Sequence, residues 1–248
     1  MDHRTLAIVS IAGSSLDVLG ALYLAYDLLG GEHGPLRLLT RAVTYGLLFT
    51  VGIGVPLGPI FGIAVGVTHG ITLAWELSWA SRGCPDPGFW YDAAASAIRG
   101  IGYGVGAAWS FGPLFGLIFG AMCTVSQVVA YRIGIRPTMD YAVAPRPRIT
   151  RRHVWSALNR TVGYGVLAGL LCSWVAHEPQ RALWFGLRVG LTIGLVTAIL
   201  SGSMPMVEWA ADKIPQRRMG VLGVALILTG FALQSVQYWV TLLDIPLQ

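Results

Sequence analysis

Eight apolar stretches, at about 6–28, 36–54, 57–79, 90–110, 113–134, 153–175, 181–202 and 219–242, take up most of this 248-residue chain. Nearly all run 19–24 residues, and at about 1.5 Å per helical residue each covers a hydrocarbon core about 30 Å thick. Charged residues make up 12% of the chain and hydrophobic ones 54%, whereas soluble domains carry about 25% charge. A soluble fold of this length would not have enough charge to cover its surface. The stretches therefore predict an all-α polytopic membrane protein, about eight transmembrane helices in a single domain over 1–248.

The basic residues fall unevenly between the stretches. Connections after the first, third, fifth and seventh carry 12 Lys and Arg, and the opposite side has only Arg4 and Arg181. By the positive-inside rule both termini lie outside and the basic connections are cytoplasmic, in a plasma or inner membrane. The net charge of +5 then reads as a topology signal and as contact with anionic lipid headgroups, with no nucleic acid implied. The first apolar stretch is too long for a cleavable signal core and is expected to stay as a helix. Cys84, Cys123 and Cys172 are odd in number and widely spaced, so no disulfide framework or Cys-x-x-Cys site follows; they read as small packing residues.

A two-part unit is written three times, at about 36–80, 90–134 and 153–202. Its first helix carries Arg and, four residues on, Tyr-Gly: Arg41 with Tyr45, Arg99 with Tyr103, Arg160 with Tyr164. Its second helix places small residues every fourth position, as in Gly62-Gly66-Gly70, Gly116-Gly120 and Gly186-Gly190-Gly194. In two copies Gly58-Pro59 and Gly112-Pro113 supply a tight turn between the helices. Each copy adds two helices, so the copies face the same way: parallel hairpin repeats packed through glycine ridges. The flanking helices, 6–28 and 219–242, echo the pattern weakly and would close a ring of four hairpins if they formed a fourth copy. Tyr four residues after Arg shares its face, which suggests an Arg-Tyr lock at the cytoplasmic helix end, or a basic vestibule for an anion.

Polar groups inside the apolar stretches are the candidates for chemistry. Asp17 sits mid-helix in a Gly-Ser-Ser neighbourhood, where a carboxylate costs a few kcal/mol unless paired, protonated or wetted. His69 and Glu76 share a face at i, i+7 and could relay a proton; Glu76 or Asp27 could neutralise a repeat arginine. Gln127, Gln234 and Gln237 suit hydrogen bonds between helices. Arg188 is expected to lean outward. The candidate pathway is Asp17, His69, Glu76, Arg99, Arg160 and Gln127. The long connection 132–153, with six Arg and three Pro, could hold lipid headgroups or a protein partner, and the glycine ridges could build a homo-oligomer.

Motifs for the familiar catalysts are missing. There is no His-Glu-x-x-His, no Gly-x-Ser-x-Gly and no phosphate loop, and the only lysine, Lys213, lies in a connection. No cofactor or metal is implied. The expected function is a carrier or channel for a small ion or solute. The alternative is a structural or interaction subunit, and a lipid-modifying enzyme comes third.

Overall fold

A computed structural model describes residues 3–28, 37–80, 88–132, 151–176, 179–211 and 216–242. Among these the chain forms eight helices and no strand: α1 (His3–Leu28), α2 (Arg37–Leu57), α3 (Pro59–Ala80), α4 (Phe89–Phe111), α5 (Pro113–Arg132), α6 (Arg151–Ala176), α7 (Pro179–Ala211) and α8 (Gln216–Leu242). Five of them, α1, α2, α3, α5 and α8, are long and apolar enough to cross a membrane. The helix α4 is not among the five; it carries Asp92 and Arg99, and both are buried. The helix α7 runs nine residues past the expected end at 202. Ser201, Gly202, Ser203 and Pro205 end the apolar run but not the helical backbone.

The chain falls into two compact units, one of Met1–Thr40 with Ala211–Gln248, the other of Arg41–Ala210. In the first, α1 lies along α8. Gly20 faces Gly223 closely enough that a Cβ on Gly20 would come 2.5 Å from the Gly223 carbonyl oxygen. That contact allows the two backbones to approach without side chains between them, as small residues do at the interfaces of membrane helices.

In the second unit one residue each suffices to reverse the chain between α2 and α3 and between α4 and α5. Gly58 has φ of 110° and Gly112 of 96°, a region that costs other residues about 1–2 kcal/mol. Each glycine closes the helix before it and opens the next: the Gly58 N–H donates to the Gly54 carbonyl at 2.9 Å and its own carbonyl accepts from Gly62 at 3.0 Å, while Gly112 does the same with Ala108 at 2.8 Å and Gly116 at 3.1 Å. Pro59 and Pro113 take the first helical position, where the missing N–H forfeits nothing. The core of this unit is aromatic and aliphatic, with Phe49, Phe61, Tyr103, Phe119, Tyr164 and Ile193 buried. Between α6 and α7 lies an apolar groove of about 510 Å³, lined by Gly165, Gly169, Gly186, Gly190 and leucines.

Candidate functional site

Within the larger unit, three helices turn polar faces toward one another. On α3, His69, Thr72 and Glu76 follow at steps of three and four, which stacks them on one face. On α4, Arg99 and Tyr103 are one turn apart, and on α5 so are Gln127 and Tyr131. All seven side chains are buried, none more than 7% exposed.

The direction of the helices decides who meets whom. The helices α3 and α4 are consecutive and packed together, and an arginine side chain leans toward the N-terminus of its helix. Arg99, in mid-helix, therefore reaches back toward the end where α3 finishes, and there it finds Glu76. Its Nη2 donates to Glu76 Oε1 at 2.7 Å, and its Nε donates to Thr72 Oγ1 at 2.8 Å. Its Nη1 bonds the Tyr131 hydroxyl, which in turn donates to Glu76 Oε1 at 2.8 Å. The guanidinium also stands 5.9 Å from the Tyr131 ring centroid. The Thr72 hydroxyl passes its own proton to the Thr68 carbonyl at 2.8 Å. Three helices thus share one closed hydrogen-bonded knot around a single ion pair.

The knot continues inward. His69 Nδ1 lies 3.0 Å from the Val65 carbonyl, and a carbonyl can only accept, so Nδ1 holds a proton. In the neutral ring Nε2 is then the acceptor, and the Tyr103 hydroxyl faces it at 3.4 Å. Phe49 flanks the imidazole at 4.5 Å between ring centroids. The Tyr103 ring packs against Tyr164 of α6 at 5.5 Å, and Gln127 Nε2 donates to the Tyr164 hydroxyl at 3.2 Å. The other amide atom, Gln127 Oε1, is buried with no hydrogen-bond partner among the described residues.

Of the residues singled out in the sequence, the structure gathers His69, Glu76, Arg99, Gln127, Tyr103 and Tyr164 here. Tyr103 meets His69, and Arg99 extends to the neighbouring helices α3 and α5. Asp17 lies in the other unit, on α1, where its Oδ2 accepts from Gln234 Nε2 of α8. Arg41 on α2 is partly exposed, Tyr45 beside it is buried, and Arg188 on α7 is exposed. Arg160 is on α6 with its side chain outside the described residues, as is most of the 132–153 connection. Arg132, at its start, stands 4.9 Å from the Phe89 ring centroid. Cys123 and Cys172 are both buried. Among the described residues no three metal-binding side chains cluster.

Four residues of this region escaped the sequence reading. Thr72 and Tyr131 complete the knot, and Asp92 and Ser96 are buried on the line of α4 that leads to Arg99. The signal for the first two was spacing alone: Thr72 falls between His69 and Glu76 on their face, and Tyr131 falls four residues after Gln127.

Chemically the arrangement buries a guanidinium and a carboxylate together and gives each a charged and a hydroxyl partner. Removing water from such a pair costs several kcal/mol per ion, and the pair recovers it only through geometry this complete. No protein-family model, no curated protein and no solved structure matches this chain.

Proposed function

We propose that the protein is an integral membrane carrier or channel for a small ion or solute, with His69, Glu76, Arg99 and Gln127 marking its pathway through the larger unit. The observation that carries this reading is the buried Arg99–Glu76 pair. Well-packed apolar side chains of the same volume would hold three helices together at least as well as an ion pair. Ionisable groups inside membrane helices otherwise mark routes for ions, protons or solutes. Arg160, on α6 of the same unit, belongs to the same pathway proposal.

The outer surface supports the membrane setting. Large aliphatic side chains such as Val55, Leu117 and Leu170 are well exposed, as lipid contact requires. On α4, Trp90 is 82% exposed and Trp109, nineteen residues on, 73%; on α6, Trp155 and Trp174 repeat that spacing and are also exposed. Nineteen helical residues rise about 28 Å, close to the hydrocarbon thickness, and tryptophan concentrates at its two borders. This supports a crossing by α4 and α6 as well as by the five more apolar helices. We place both termini outside and the basic connections, with anionic lipid headgroups, on the cytoplasmic side. The Arg99–Glu76 knot then closes the cytoplasmic half.

We further read α2–α3, α4–α5 and α6–α7 as parallel hairpin repeats packed through glycines. The support is a common register. Gly46 faces Gly66 and Gly70, Gly104 faces Gly116 and Gly120, and Gly165 faces Gly186 and Gly190, each first glycine standing five residues after the repeated arginine.

The test is flux from proteoliposomes loaded with a panel of ions and small solutes. The wild type is expected to dissipate a gradient of one of them, and Glu76→Gln or His69→Ala to slow it at least tenfold while the protein still reconstitutes. Gradients that decay as in empty liposomes across the panel would remove the carrier reading. The second reading, a structural subunit with a partner or second copy at 132–153, is favoured by one observation: Arg99, Glu76, Thr72 and Tyr131 satisfy one another and leave the knot closed.

A further inference from the structure

The smaller unit holds a polar group that the knot does not explain. Asp17 lies near the middle of α1, at least about 16 Å along the helix from either end at about 1.5 Å per residue. One of its oxygens, Oδ2, accepts from Gln234 Nε2. The other, Oδ1, is buried with no hydrogen-bond partner among the described residues. It is pressed onto Gly230 of α8, where a Cβ would collide with it. The absent side chain at Gly230 is thus the space the carboxyl occupies. The Gly13 carbonyl oxygen faces the same point, 2.6 Å from where that Cβ would be.

We infer that the α1–α8 hairpin carries a proton-binding site, formed by the Asp17 carboxyl with Gln234 as its fixed donor and Gly230 as its cradle. An ionised carboxylate has only acceptors, so a buried Oδ1 facing a carbonyl would lose its hydration and gain nothing. A proton on Oδ1 turns that oxygen into a donor beside the Gly13 carbonyl and removes the charge from the apolar zone. Opposite Asp17, α8 presents Gly230 and Gln234, neither of which titrates. The titratable and charged groups of the two helices are His3, Arg4, Tyr23, Tyr26 and Asp27 on α1 and Arg217, Arg218 and Tyr238 on α8. Each lies at least one helical turn from Asp17 or from its opposite number Gln234, so among the described residues of these two helices no neighbouring charge stands in for the proton.

A hydrophobic carbodiimide tests the site on the full-length protein in membranes. The reagent takes the acid proton onto nitrogen while the carboxyl oxygen adds to its central carbon. The adduct rearranges to a stable N-acylurea with the mass of one added reagent, and an ionised carboxylate does not react. Peptide mapping is expected to place the label on Asp17. Its rate should fall about tenfold for each pH unit above the titration midpoint, and Asp17→Asn should abolish it. A labelling rate at Asp17 that does not change with pH, or label confined to other carboxyls, overturns the proposal. So does a wild type that reconstitutes folded and takes up no label. The readout needs no transport: label at Asp17 with no flux retains this site and removes the carrier reading, and flux without label does the reverse.

Discussion

Two regions of the molecule solve the same problem, a carboxylate inside apolar helices, in different ways. In the larger unit Glu76 meets a full counter-charge and a phenol, so both charges of the knot have partners. In the α1–α8 hairpin Asp17 meets one amide and leaves an oxygen over. The difference lies in the number of helices within its own unit that surround each carboxylate. A carboxylate at a junction of three helices can be surrounded by donors, whereas one between two helices has a single facing surface. The first carboxylate is held by a guanidinium and a phenol, the second by one amide and a cradle of glycine backbone.

The largest effect follows from breaking the ion-paired side. Glu76→Leu leaves the Arg99 guanidinium buried without its anion and is expected to cost about 3–5 kcal/mol. Asp17→Leu strands only a neutral amide and is expected to cost no more than about 1 kcal/mol. Unfolding of each variant in mixed detergent micelles measures both. The double variant Glu76→Leu with Arg99→Met should recover most of the loss, because it removes both charges together. If the two single variants lose the same amount, the contrast between the regions is wrong.

The contrast also marks what the sequence could and could not disclose. Helix positions were legible because the apolar runs are long and Gly-Pro pairs punctuate them; α7 outran its apolar run by the most. His69, Glu76, Arg99 and Gln127 stood out because polar groups in such runs are costly. That Glu76 could neutralise a repeat arginine was legible as well; which arginine, and which further partners, was not. Tyrosine four residues after arginine suggests a contact along one helix, but a long side chain in a bundle can reach equally well across to a neighbour, and Arg99 does so. Tyr131, near the end of its helix, has the position of an interfacial anchor, and Thr72 has that of a threonine bonded to its own backbone. Only the packing of α3 against α4 and of α4 against α5 gives them their roles.

Packing itself should not distinguish the regions, and that sharpens the comparison. A Cβ at Gly66 would meet Thr50 and come 2.5 Å from the Gly46 carbonyl, and one at Gly20 would come equally near the Gly223 carbonyl. Gly66→Leu and Gly20→Leu are both expected to cost about 1–3 kcal/mol by overpacking, read from the same unfolding measurement. Near-equal losses would show that the two units share one way of packing and differ in their polar groups. A neutral Gly20→Leu would instead make the hairpin a loose contact, and the cradle at Gly230 would lose its rigidity with it.

The smallest effect tests how far the knot extends. Tyr164→Phe removes the hydroxyl that accepts from Gln127 and leaves the ring against Tyr103 in place. Hydrogen bonds between membrane helices average about 0.6 kcal/mol, so unfolding should shift by about that much. Because Gln127 Oε1 already lacks a partner among the described residues, losing the Nε2 bond frees the whole amide to turn. If Gln127 only spaces α5 from α6, stability falls slightly and flux is unchanged. If it belongs to the pathway, Tyr164→Phe alters flux by more than this stability change accounts for, and Gln127→Leu alters it in the same direction. Flux that ignores both variants would confine the pathway to α3 and α4, with the polar contact to α6 serving only to hold that helix in place.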